Sequence, residues 1–224
     1  MSAINREERI GGQRLILGDC LEVMKELGRF DAVVTDPPYG IGADENPVRA
    51  SKLHEKKGWD RKRPESSLFF HVIECSDEQI IWGGNYFTDY LTPSMRWLVW
   101  DKMQGDFSLA DCEFAWTSQN KAARIFRYSR GKAIQDGKQH PTQKPIALME
   151  WCLGFLPDAT TILDPFMGSG TTLVACQKMG RNGTGIELDP EYFDIACKRV
   201  EVAASQPDMF IETVESKPVQ EVLF

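Results

Sequence analysis

A strand–helix–strand pattern occurs twice, once near each end of the chain, and it constrains the fold more than any other feature. The first copy comprises RLILGD (14–19), CLEVMKELG (20–28) and FDAVVTD (30–36). The second comprises TTILDPF (160–166), TTLVACQKMG (171–180) and GTGIELD (183–189). In both copies a helix-spaced segment that ends at Gly separates two short apolar runs. Strands joined in this way pair in parallel with a right-handed crossover, so each copy predicts a βαβ unit.

Three more runs typical of strands lie between the two units: EQIIWGGNYF (78–87), RWLVWDK (96–102) and DCEFAWTS (111–118). Helical patterns occupy KPIALMEWCLGFL (144–156) and PEYFDIACKRVEVAA (190–204), the second with Pro in its first turn. About seven strands that mostly alternate with helices predict an α/β fold. We expect a doubly wound, mostly parallel sheet with helices on both faces.

The domain organisation predicted from the sequence is simple. The chain length fits one well-buried core, and we expect a single domain at 1–205 followed by a tail at 206–224 with no clear element. Two polar segments, 41–67 and 119–143, do not follow the sheet pattern and are predicted to be loops. Loops of this length within a domain are often functional.

Composition argues against several classes of protein. The six cysteines form no Cys-x-x-Cys pair and no His cluster accompanies them, so we expect no metal site. No apolar run is long enough to cross a membrane, and the polar N-terminus MSAINREERI does not resemble a signal peptide. We therefore expect reduced thiols and a location in the cytoplasm of a bacterium or a phage-infected host cell.

Carboxylates stand at the ends of four predicted strands, as Asp19, Asp36, Asp164 and Glu187. In an open parallel sheet, ligands bind beyond the carboxyl ends of the strands, where the strand order reverses. We therefore expect these four side chains to converge in space and to mark the functional site.

The turn LDPFMGSGTT (163–172) has the features of a nucleoside-binding turn. Gly168 and Gly170 permit close backbone approach at a helix N-terminus, and Glu187, about 20 residues on, suits a pair of ribose hydroxyls. The spacing is not Gly-x-Gly-x-x-Gly, and no Lys follows the last Gly as in a P-loop. An ordinary tight turn between strand and helix is the alternative interpretation.

The stretch TDPPYG (35–40) combines an acceptor-only carboxylate with a rigid backbone and an aromatic ring. Pro37 and Pro38 have fixed φ angles and no N–H, so their segment can present carbonyl oxygens in one geometry. Asp36 and such a carbonyl together suit an amino group with two hydrogens to donate, while Tyr39 offers a face for stacking. The stretch therefore indicates a site for an aromatic amine such as adenine or cytosine, with a simple Pro-Pro turn as the alternative.

These motifs together resemble the S-adenosylmethionine-dependent amino-methyltransferases that act on DNA. The resemblance extends from about residue 14 to 200 and includes GDCLEVM, TDPPYG, IWGGNYF, WLVWDK, CEFAWTS, HPTQKP, DPFMGSGTT and GIELDPEYFDIACKR. The catalytic motif precedes the cofactor motif, as in the circularly permuted β group of that family. The resemblance implies a Rossmann-like sheet of seven strands with one antiparallel strand, and a role in restriction–modification on double-stranded DNA.

The resemblance also implies residue roles. The catalytic residues would be Asp36, Pro37, Pro38 and Tyr39, with Tyr39 stacking on a base flipped out of the duplex. Asp19 would meet the cofactor adenine, Glu187 the ribose, and Thr142 and Lys144 the methionine part. The full set of expected cofactor-binding residues is Asp19, Asp36, Thr142, Lys144, Asp164, Phe166, Gly168, Gly170, Thr171, Glu187 and Leu188. Asp at position 36 resembles the adenine-N6 enzymes more than the cytosine-N4 enzymes, which remain the alternative.

Basic residues concentrate in the two predicted loops, with seven Lys or Arg at 49–63 and seven at 121–144. The net charge of −7 argues weakly against a large phosphate-binding surface, but a local basic cluster can still hold DNA. A solvated loop has the same composition. The hypothesis is that these segments flank the cleft and bind DNA through Lys52, Lys56, Lys57, Arg61, Lys62, Arg63, Arg124, Arg127, Arg130 and Lys132.

Only about 20 residues separate CEFAWTS from HPTQKP, which is short for a target-recognition region of this family. Sequence specificity would then be relaxed, or would depend on the 41–67 segment or on a partner subunit, for which a homodimer is one arrangement. Two rival functions remain open: methylation of RNA or protein, and DNA binding without catalysis. The first fits poorly with Asp at position 36, and the second with an intact set of motif residues.

Overall fold

The computed structural model describes residues 2–42, 60–104, 110–129, 131–132 and 143–206. The strands of this part of the chain are β1 Ile4–Ile10, β2 Gln13–Gly18, β3 Phe30–Thr35, β4 Ser76–Trp82, β5 Trp97–Asp101, β6 Cys112–Thr117, β7 Arg124–Arg127, β8 Thr161–Asp164 and β9 Asn182–Glu187. The helices are α1 Cys20–Glu26, α2 Ser66–Glu74, α3 Ile146–Leu153, α4 Thr171–Lys178 and α5 Pro190–Ser205, with a short 3₁₀ turn at Gly84–Tyr86.

These strands form one mixed sheet in the order β1-β2-β9-β8-β3-β4-β6-β5-β7. From β2 to β4 the neighbours are all parallel, and β6 runs antiparallel to both β4 and β5. The seven strands from β2 to β5 therefore contain one antiparallel strand, which confirms the predicted α/β sheet. Two further strands extend it at its edges, β1 antiparallel to β2 and β7 parallel to β5.

Both edge strands are departures from the sequence prediction. The segment 119–143 was expected to be a loop outside the sheet, yet Arg124–Arg127 pairs with Leu98–Asp101. β1 was not predicted because its sequence INREERI is polar and only partly buried. Edge strands are held mainly by backbone hydrogen bonds to one neighbour, so they carry little of the apolar pattern that marks a central strand.

Helices cover both faces of the sheet because the central strands alternate their buried side chains. In β4, Ile80 and Trp82 pack into a cluster with α3 and α4, whereas Ile81 packs into a second cluster with α1 and α2. A third cluster joins α4 and α5 to β2. Successive side chains of a strand point to opposite faces, so strands with two covered faces read as continuous apolar runs.

Strand direction decides which residues reach the functional edge of the sheet. The parallel strands β2, β9, β8, β3 and β4 all end at one edge, and the strand order reverses beside β3. Because β6 is antiparallel, its first residues, Cys112 and Glu113, lie at that same edge. The edge therefore receives the carboxyl ends of seven strands, β5 and β7 included, and the amino ends of β6 and β1.

None of the helices in the described ranges is long and apolar enough to span a membrane. Across the same ranges no group of three or more His, Cys, Asp or Glu side chains could hold a metal ion. The six cysteines are free thiols, with Cys152, Cys176 and Cys197 buried and the other three partly buried.

Candidate active site

A cleft of about 550 Å³ opens at the carboxyl edge of the parallel strands. Its volume lies within the range of pockets that take small molecules and cofactors. The residues predicted from sequence that line it are Asp19, Asp36, Pro38, Lys144, Asp164, Phe166, Gly168, Thr171, Glu187 and Leu188. Two motifs more than a hundred residues apart in the chain, Asp-Pro-Pro-Tyr and the glycine-rich turn, therefore open into one cavity.

Not every predicted site residue lines this cleft. Within the described ranges, Pro37, Tyr39 and Gly170 lie next to the cleft but do not form its wall. Thr142 lies outside the described residues.

The glycine-rich turn between β8 and α4 is shaped by close packing on one side and open space on the other. Gly170 caps α4 with a φ of 77°, and a Cβ there would lie 3.0 Å from Cβ of Ala196 on α5. A Cβ at Gly168 would meet no atom within 4 Å, although its φ of 51° still favours glycine. The turn thus packs tightly against the protein at Gly170 and leaves room in front of Gly168.

Arg199 on α5 forms hydrogen bonds with this turn, and its role was not predicted from the sequence. Its guanidinium donates to the carbonyl and the hydroxyl of Ser169, the latter at 2.8 Å, and to Oγ1 of Thr171 at 3.1 Å. Burial lowers the pKa of Arg199 to about 10. The sequence gives no signal for this role beyond a basic residue on an amphipathic helix.

Glu187 ends β9 and is fixed by backbone donors. Its Oε2 accepts from the Gly168 N–H at 3.0 Å, and its Oε1 accepts from the Asp189 N–H at 2.8 Å. Burial raises the pKa of Glu187 to about 7. Each carboxylate oxygen has a second lone pair, so Glu187 can also accept from two adjacent hydroxyl groups in the cleft.

The other two carboxylates of the glycine-turn side also bind neutral donors. Asp19 caps α1 by accepting from the backbone N–H groups of Leu21 and Glu22, at 2.9 and 3.3 Å. Asp164 accepts from Oγ1 of Thr35 at 2.8 Å and from the Phe166 N–H at 3.1 Å. Burial raises the pKa of Asp164 to about 6. Asp164 thereby ties the end of β3 to the glycine-rich turn.

Asp36 follows β3 and has a different environment. Its side chain is 22% exposed, and its Oδ2 accepts from the Lys144 ammonium at 2.6 Å. Its Oδ1 accepts from the Tyr39 hydroxyl. Burial raises the pKa of Asp36, and the neighbouring Lys144 charge opposes that shift. A cation and a phenol therefore fix the carboxylate at the point where it faces the cleft.

The Tyr39 ring stacks on another aromatic side chain of the protein. Its centroid lies 4.8 Å from that of Tyr86, with 17° between the ring planes, and the edge of Phe87 lies against it. A Cβ at Gly83 would lie 2.0 Å from Cε1 of Tyr39, so only glycine allows this ring position. The stretch IWGGNYF, predicted as a strand throughout, ends its strand at Trp82 and supplies this aromatic shelf through the turn that follows.

Lys144 belongs to a chain of alternating charges beside Asp36. Its ammonium lies 2.9 Å from Oε2 of Glu113, close enough for an ion pair although the angles are not those of a hydrogen bond. Oε1 of Glu113 in turn lies 2.6 Å from the ammonium of Lys102. Burial alone would raise the pKa of Glu113, but Lys144 and Lys102 lower it to about 2. Glu113 and Lys102 were not among the predicted site residues.

Asp60 is another residue that the sequence did not single out. It is 1% exposed, and its Oδ1 accepts from the backbone N–H groups of Tyr39 and Gly40 at 2.7 and 2.8 Å. Its own carbonyl accepts from the Gly42 N–H at 3.0 Å. Asp60 therefore fixes the backbone directly after the Pro-Pro pair, although it lies within a segment that was predicted to contact DNA.

The predicted DNA-contacting residues have unequal environments. All six that the structure describes are exposed. Arg63 also binds both carboxylate oxygens of Asp89 and lies over the Tyr90 ring at 4.3 Å. Arg124 and Arg127 stand at opposite ends of the edge strand β7, with Arg127 at the edge that carries the cleft. Lys52, Lys56, Lys57 and Arg130 lie outside the described residues.

Comparison with known proteins gives a consistent family relationship. A family model described as DNA methylase, N6_N4_Mtase, matches residues 86–198, half of this chain. The Type II methyltransferase M.HinfI of Haemophilus influenzae is 38% identical over 262 residues, covering 91% of this chain and 73% of that protein.

Solved structures share the fold at low sequence identity. The crystal structure of an M1.HpyAVI–SAM complex has a TM-score of 0.59 and 22% identity, and the match covers 84% of this chain and 98% of that one. The PvuII DNA methyltransferase, described as cytosine-N4-specific, has a TM-score of 0.57 and 14% identity, covering 87% of this chain and 90% of that one.

Proposed function

The chain belongs to the DNA methylase family that modifies exocyclic amino groups, and on that premise we propose that it is an adenine-N6 methyltransferase of double-stranded DNA. One observation carries the proposal. A carboxylate suited to an amino group, Asp36, and a carboxylate suited to ribose hydroxyls, Glu187, open into the same cleft of about 550 Å³. A base and a nucleoside cofactor bound there would meet with their reacting atoms close together.

S-adenosylmethionine is the cofactor of this family, and it supplies an electrophilic methyl group on a positively charged sulfur. The chemistry of the cleft suits such a molecule. Glu187 keeps two free lone pairs for the ribose hydroxyls, and the open space before Gly168 admits the nucleoside close to the backbone. Phe166 and Leu188 contribute apolar surface to the wall of the cleft. The carboxylates beside the glycine-rich turn attract the positively charged sulfur of the cofactor.

The catalytic role in this proposal belongs to Asp36. Its carboxylate, together with the Pro37 carbonyl, accepts hydrogen bonds from the two hydrogens of the base amino group. This directs the nitrogen lone pair toward the bound methyl group. Holding the two reactants in line at close distance supplies most of the rate enhancement, so no covalent enzyme intermediate is needed. The proton released from nitrogen has the Asp36 carboxylate as its nearest acceptor.

The target base must leave the stacked duplex to reach Asp36, because its amino group is paired inside the helix. Tyr39 is the expected stacking partner of the flipped base, and Tyr86, on which its ring now stacks, is 38% exposed. DNA binding by the basic segments belongs to the same proposal. Arg61 and Lys62 are candidates for this role because both side chains are exposed.

We also propose a single methyltransferase domain at 1–205 and a tail at 206–224, of which residues 207–224 lie outside the described residues. The proposed place of action is the cytoplasm, where unmodified DNA and reduced thiols occur together. The proposal also includes the option of a homodimer, which would provide a second surface for target recognition. Sedimentation velocity with and without a DNA duplex measures that assembly directly.

Transfer of labelled methyl groups tests the proposed function. Purified protein is incubated with methyl-labelled S-adenosylmethionine and unmodified duplex DNA, and the DNA is then digested to nucleosides. The proposal predicts label in N6-methyldeoxyadenosine, and loss of that label in Asp36→Ala. Label in N4-methyldeoxycytidine would keep the family function and overturn the choice of base, for which the cytosine-N4-specific fold neighbour is a precedent. Label only in RNA or in protein would overturn DNA as the substrate.

A further inference from the structure

The four residues Asp36, Lys144, Glu113 and Lys102 form a charge chain that crosses three separate parts of the fold. Successive charged atoms lie 2.6, 2.9 and 2.6 Å apart. The side chains are 22%, 5%, 24% and 10% exposed in the same order. Exposed ion pairs contribute little to stability, but charges removed this far from water need partners of opposite sign.

Two members of the charge chain, Glu113 and Lys102, are positioned by paired backbone, and Lys144 is positioned by its side-chain contacts. Glu113 lies on β6 in register with Trp100 of β5, and Lys102 follows β5 with its N–H donating to the Asp111 carbonyl at 2.9 Å. The Lys144 ammonium is held between two acids and also lies 5.6 Å from the Trp82 ring centre. These contacts hold the positive charge of Lys144 in one position next to Asp36.

From this geometry we infer that Lys144, Glu113 and Lys102 are positioning residues that aim the Asp36 carboxylate and set the pH range over which it stays ionised. The inference rests on the proposed function, because it gives Asp36 a task for which its charge matters. It also reassigns Lys144, which was expected at the methionine part of the cofactor, to the catalytic carboxylate.

The charged and titratable groups that face Asp36 act in two directions. The Lys144 cation favours the ionised carboxylate, whereas the Glu113 and Asp164 carboxylates disfavour it. Tyr39 donates a hydrogen bond to the ionised form. Lys102 touches Glu113 and not Asp36, so it acts mainly by keeping Glu113 ionised and in place. Lys144 and Glu113 should therefore move the Asp36 titration in opposite directions when they are removed.

The test measures the titration of the Asp36 carboxyl and, in a separate experiment, the pH dependence of methyl transfer. The ¹³C signal of the Asp36 carboxyl, assigned with Asp36→Asn in protein labelled at aspartate carboxyls, is titrated in wild type and variants. The pH profile of kcat/KM for DNA methylation is measured on the same proteins. In Lys144→Met the titration and the acidic limb of the profile should move to higher pH, with kcat lower by about ten- to a hundredfold.

In Glu113→Gln the titration and the acidic limb should move to lower pH, because one negative charge near Asp36 is lost. Glu150→Gln is the matched control, since it removes the α3 carboxylate that pairs with Lys178 of α4 and leaves Asp36 untouched. That control should leave both curves in place. If Glu113→Gln fails to fold, Lys102→Met/Glu113→Gln removes the outer pair as a neutral unit, and its curves should still move to lower pH.

Opposite shifts in Lys144→Met and Glu113→Gln support the inference. Unchanged midpoints in both, or shifts of both in one direction, overturn it and leave the chain with a purely structural role. A wild type that methylates no DNA, with opposite shifts of the carboxyl signal, overturns the proposed function while the charge chain stands.

Discussion

The two sides of the cleft hold their carboxylates in opposite ways. On the cofactor side, Glu187 and Asp164 accept only from backbone N–H and hydroxyl groups, and within the described ranges neither has an ion pair with a lysine or arginine. On the target side, Asp36 is bound by Lys144, which is bound in turn by Glu113. In the first arrangement the carboxylates, once ionised, have no cationic side chain as a partner, whereas the charges of the second are balanced.

This difference fits the charges of the two ligands in the proposed reaction. A site with uncompensated carboxylates favours a positively charged ligand, and S-adenosylmethionine carries a sulfonium cation. A balanced site suits a neutral base whose amino group needs acceptors but brings no charge. One edge of a sheet can thus provide two electrostatic environments, because its carboxylates are bound by neutral donors on one side and by a lysine on the other.

Removing the target-side carboxylate should give the largest effect. Asp36→Ala takes away an acceptor that acts on the reacting nitrogen, so methyl transfer should fall by about 10²–10³-fold or more. Because the cofactor side is unchanged, the Kd for S-adenosylmethionine, measured by calorimetry, should stay within a few-fold. A large loss of cofactor affinity would show that the two sides are not separable.

Releasing the backbone next to Asp36 should give the next largest effect. Asp60→Ala removes the acceptor of the Tyr39 and Gly40 N–H groups, so Tyr39 and the Asp36 carboxylate that it binds should shift. A small misplacement of reacting groups lowers kcat by about 100-fold. Asp60→Asn keeps one oxygen acceptor and should recover most of the activity. Equal losses in both variants would mean that the charge of Asp60, and not its hydrogen bonds, is needed.

Changing the cofactor side should affect binding and leave the chemical step largely intact. Glu187→Gln replaces a charged acceptor of two hydroxyls, so the Kd for S-adenosylmethionine should rise by about ten- to a hundredfold. At saturating cofactor, kcat should stay near the wild-type value. A variant with unchanged Kd and reduced kcat would contradict the assignment of Glu187 to the cofactor side.

The raised pKa of Glu187, about 7 against an ordinary value of 4.5, predicts opposite pH trends for binding and for stability. Cofactor affinity should increase up to about tenfold between pH 6 and 8, because only the ionised carboxylate accepts from both hydroxyls. The free protein should lose stability over the same rise, since the native state holds a proton that the unfolded state has already released. Asp164, with a pKa of about 6, adds to that loss.

Calorimetric titrations and thermal unfolding at several pH values measure the two trends. Glu187→Gln should flatten the trend in binding and reduce the trend in stability, of which the Asp164 part remains. It should be more stable than wild type at pH 8 in the absence of cofactor. Parallel trends for binding and stability in the wild type would contradict the uncompensated state of this carboxylate.

The smallest expected effect concerns the exposed basic residues. Arg61→Glu/Lys62→Glu should weaken duplex binding several-fold and reduce its salt dependence, because phosphate contacts release counterions. Arg63→Glu is the contrasting variant, since Arg63 binds Asp89 and Tyr90 and its loss should lower thermal stability as well. Fluorescence anisotropy at two salt concentrations separates the outcomes. Unchanged affinity of the double variant at low salt would remove this segment from the DNA-binding surface.

The sequence predicted the parallel part of the site and not the antiparallel part, for a physical reason. Asp36, Asp164 and Glu187 follow parallel strands, so the rule that ligands bind beyond carboxyl ends located all three. Glu113 stands at the amino end of β6, and it reaches the same edge only because that strand runs the opposite way. Strand direction depends on long-range pairing, which a local pattern of apolar residues does not encode.

The sequence also did not predict which side chains and backbone groups bind one another in the site. Lys144 was expected to contact the methionine part of the cofactor, and the structure places it in the cleft wall with Asp36 and Glu113 as its partners. Asp60 is one of two acids, with Glu55, in a basic run, and its role comes from hydrogen bonds to a backbone segment about 20 residues earlier in the chain, which a local pattern does not encode. The edge strands β1 and β7 were missed because backbone pairing, rather than apolar burial, holds them.

In the proposed reaction, one cleft brings together a base, whose amino group binds Asp36, and a methyl donor, whose ribose binds Glu187. Its most direct measurement is single-turnover methyl transfer into unmodified duplex DNA at saturating labelled S-adenosylmethionine, with wild type, Asp36→Ala and Glu187→Gln compared. We predict label in N6-methyldeoxyadenosine for wild type, near-complete loss for Asp36→Ala, and a near-normal rate for Glu187→Gln once cofactor saturates. Full activity of Asp36→Ala with bound cofactor would contradict the claim.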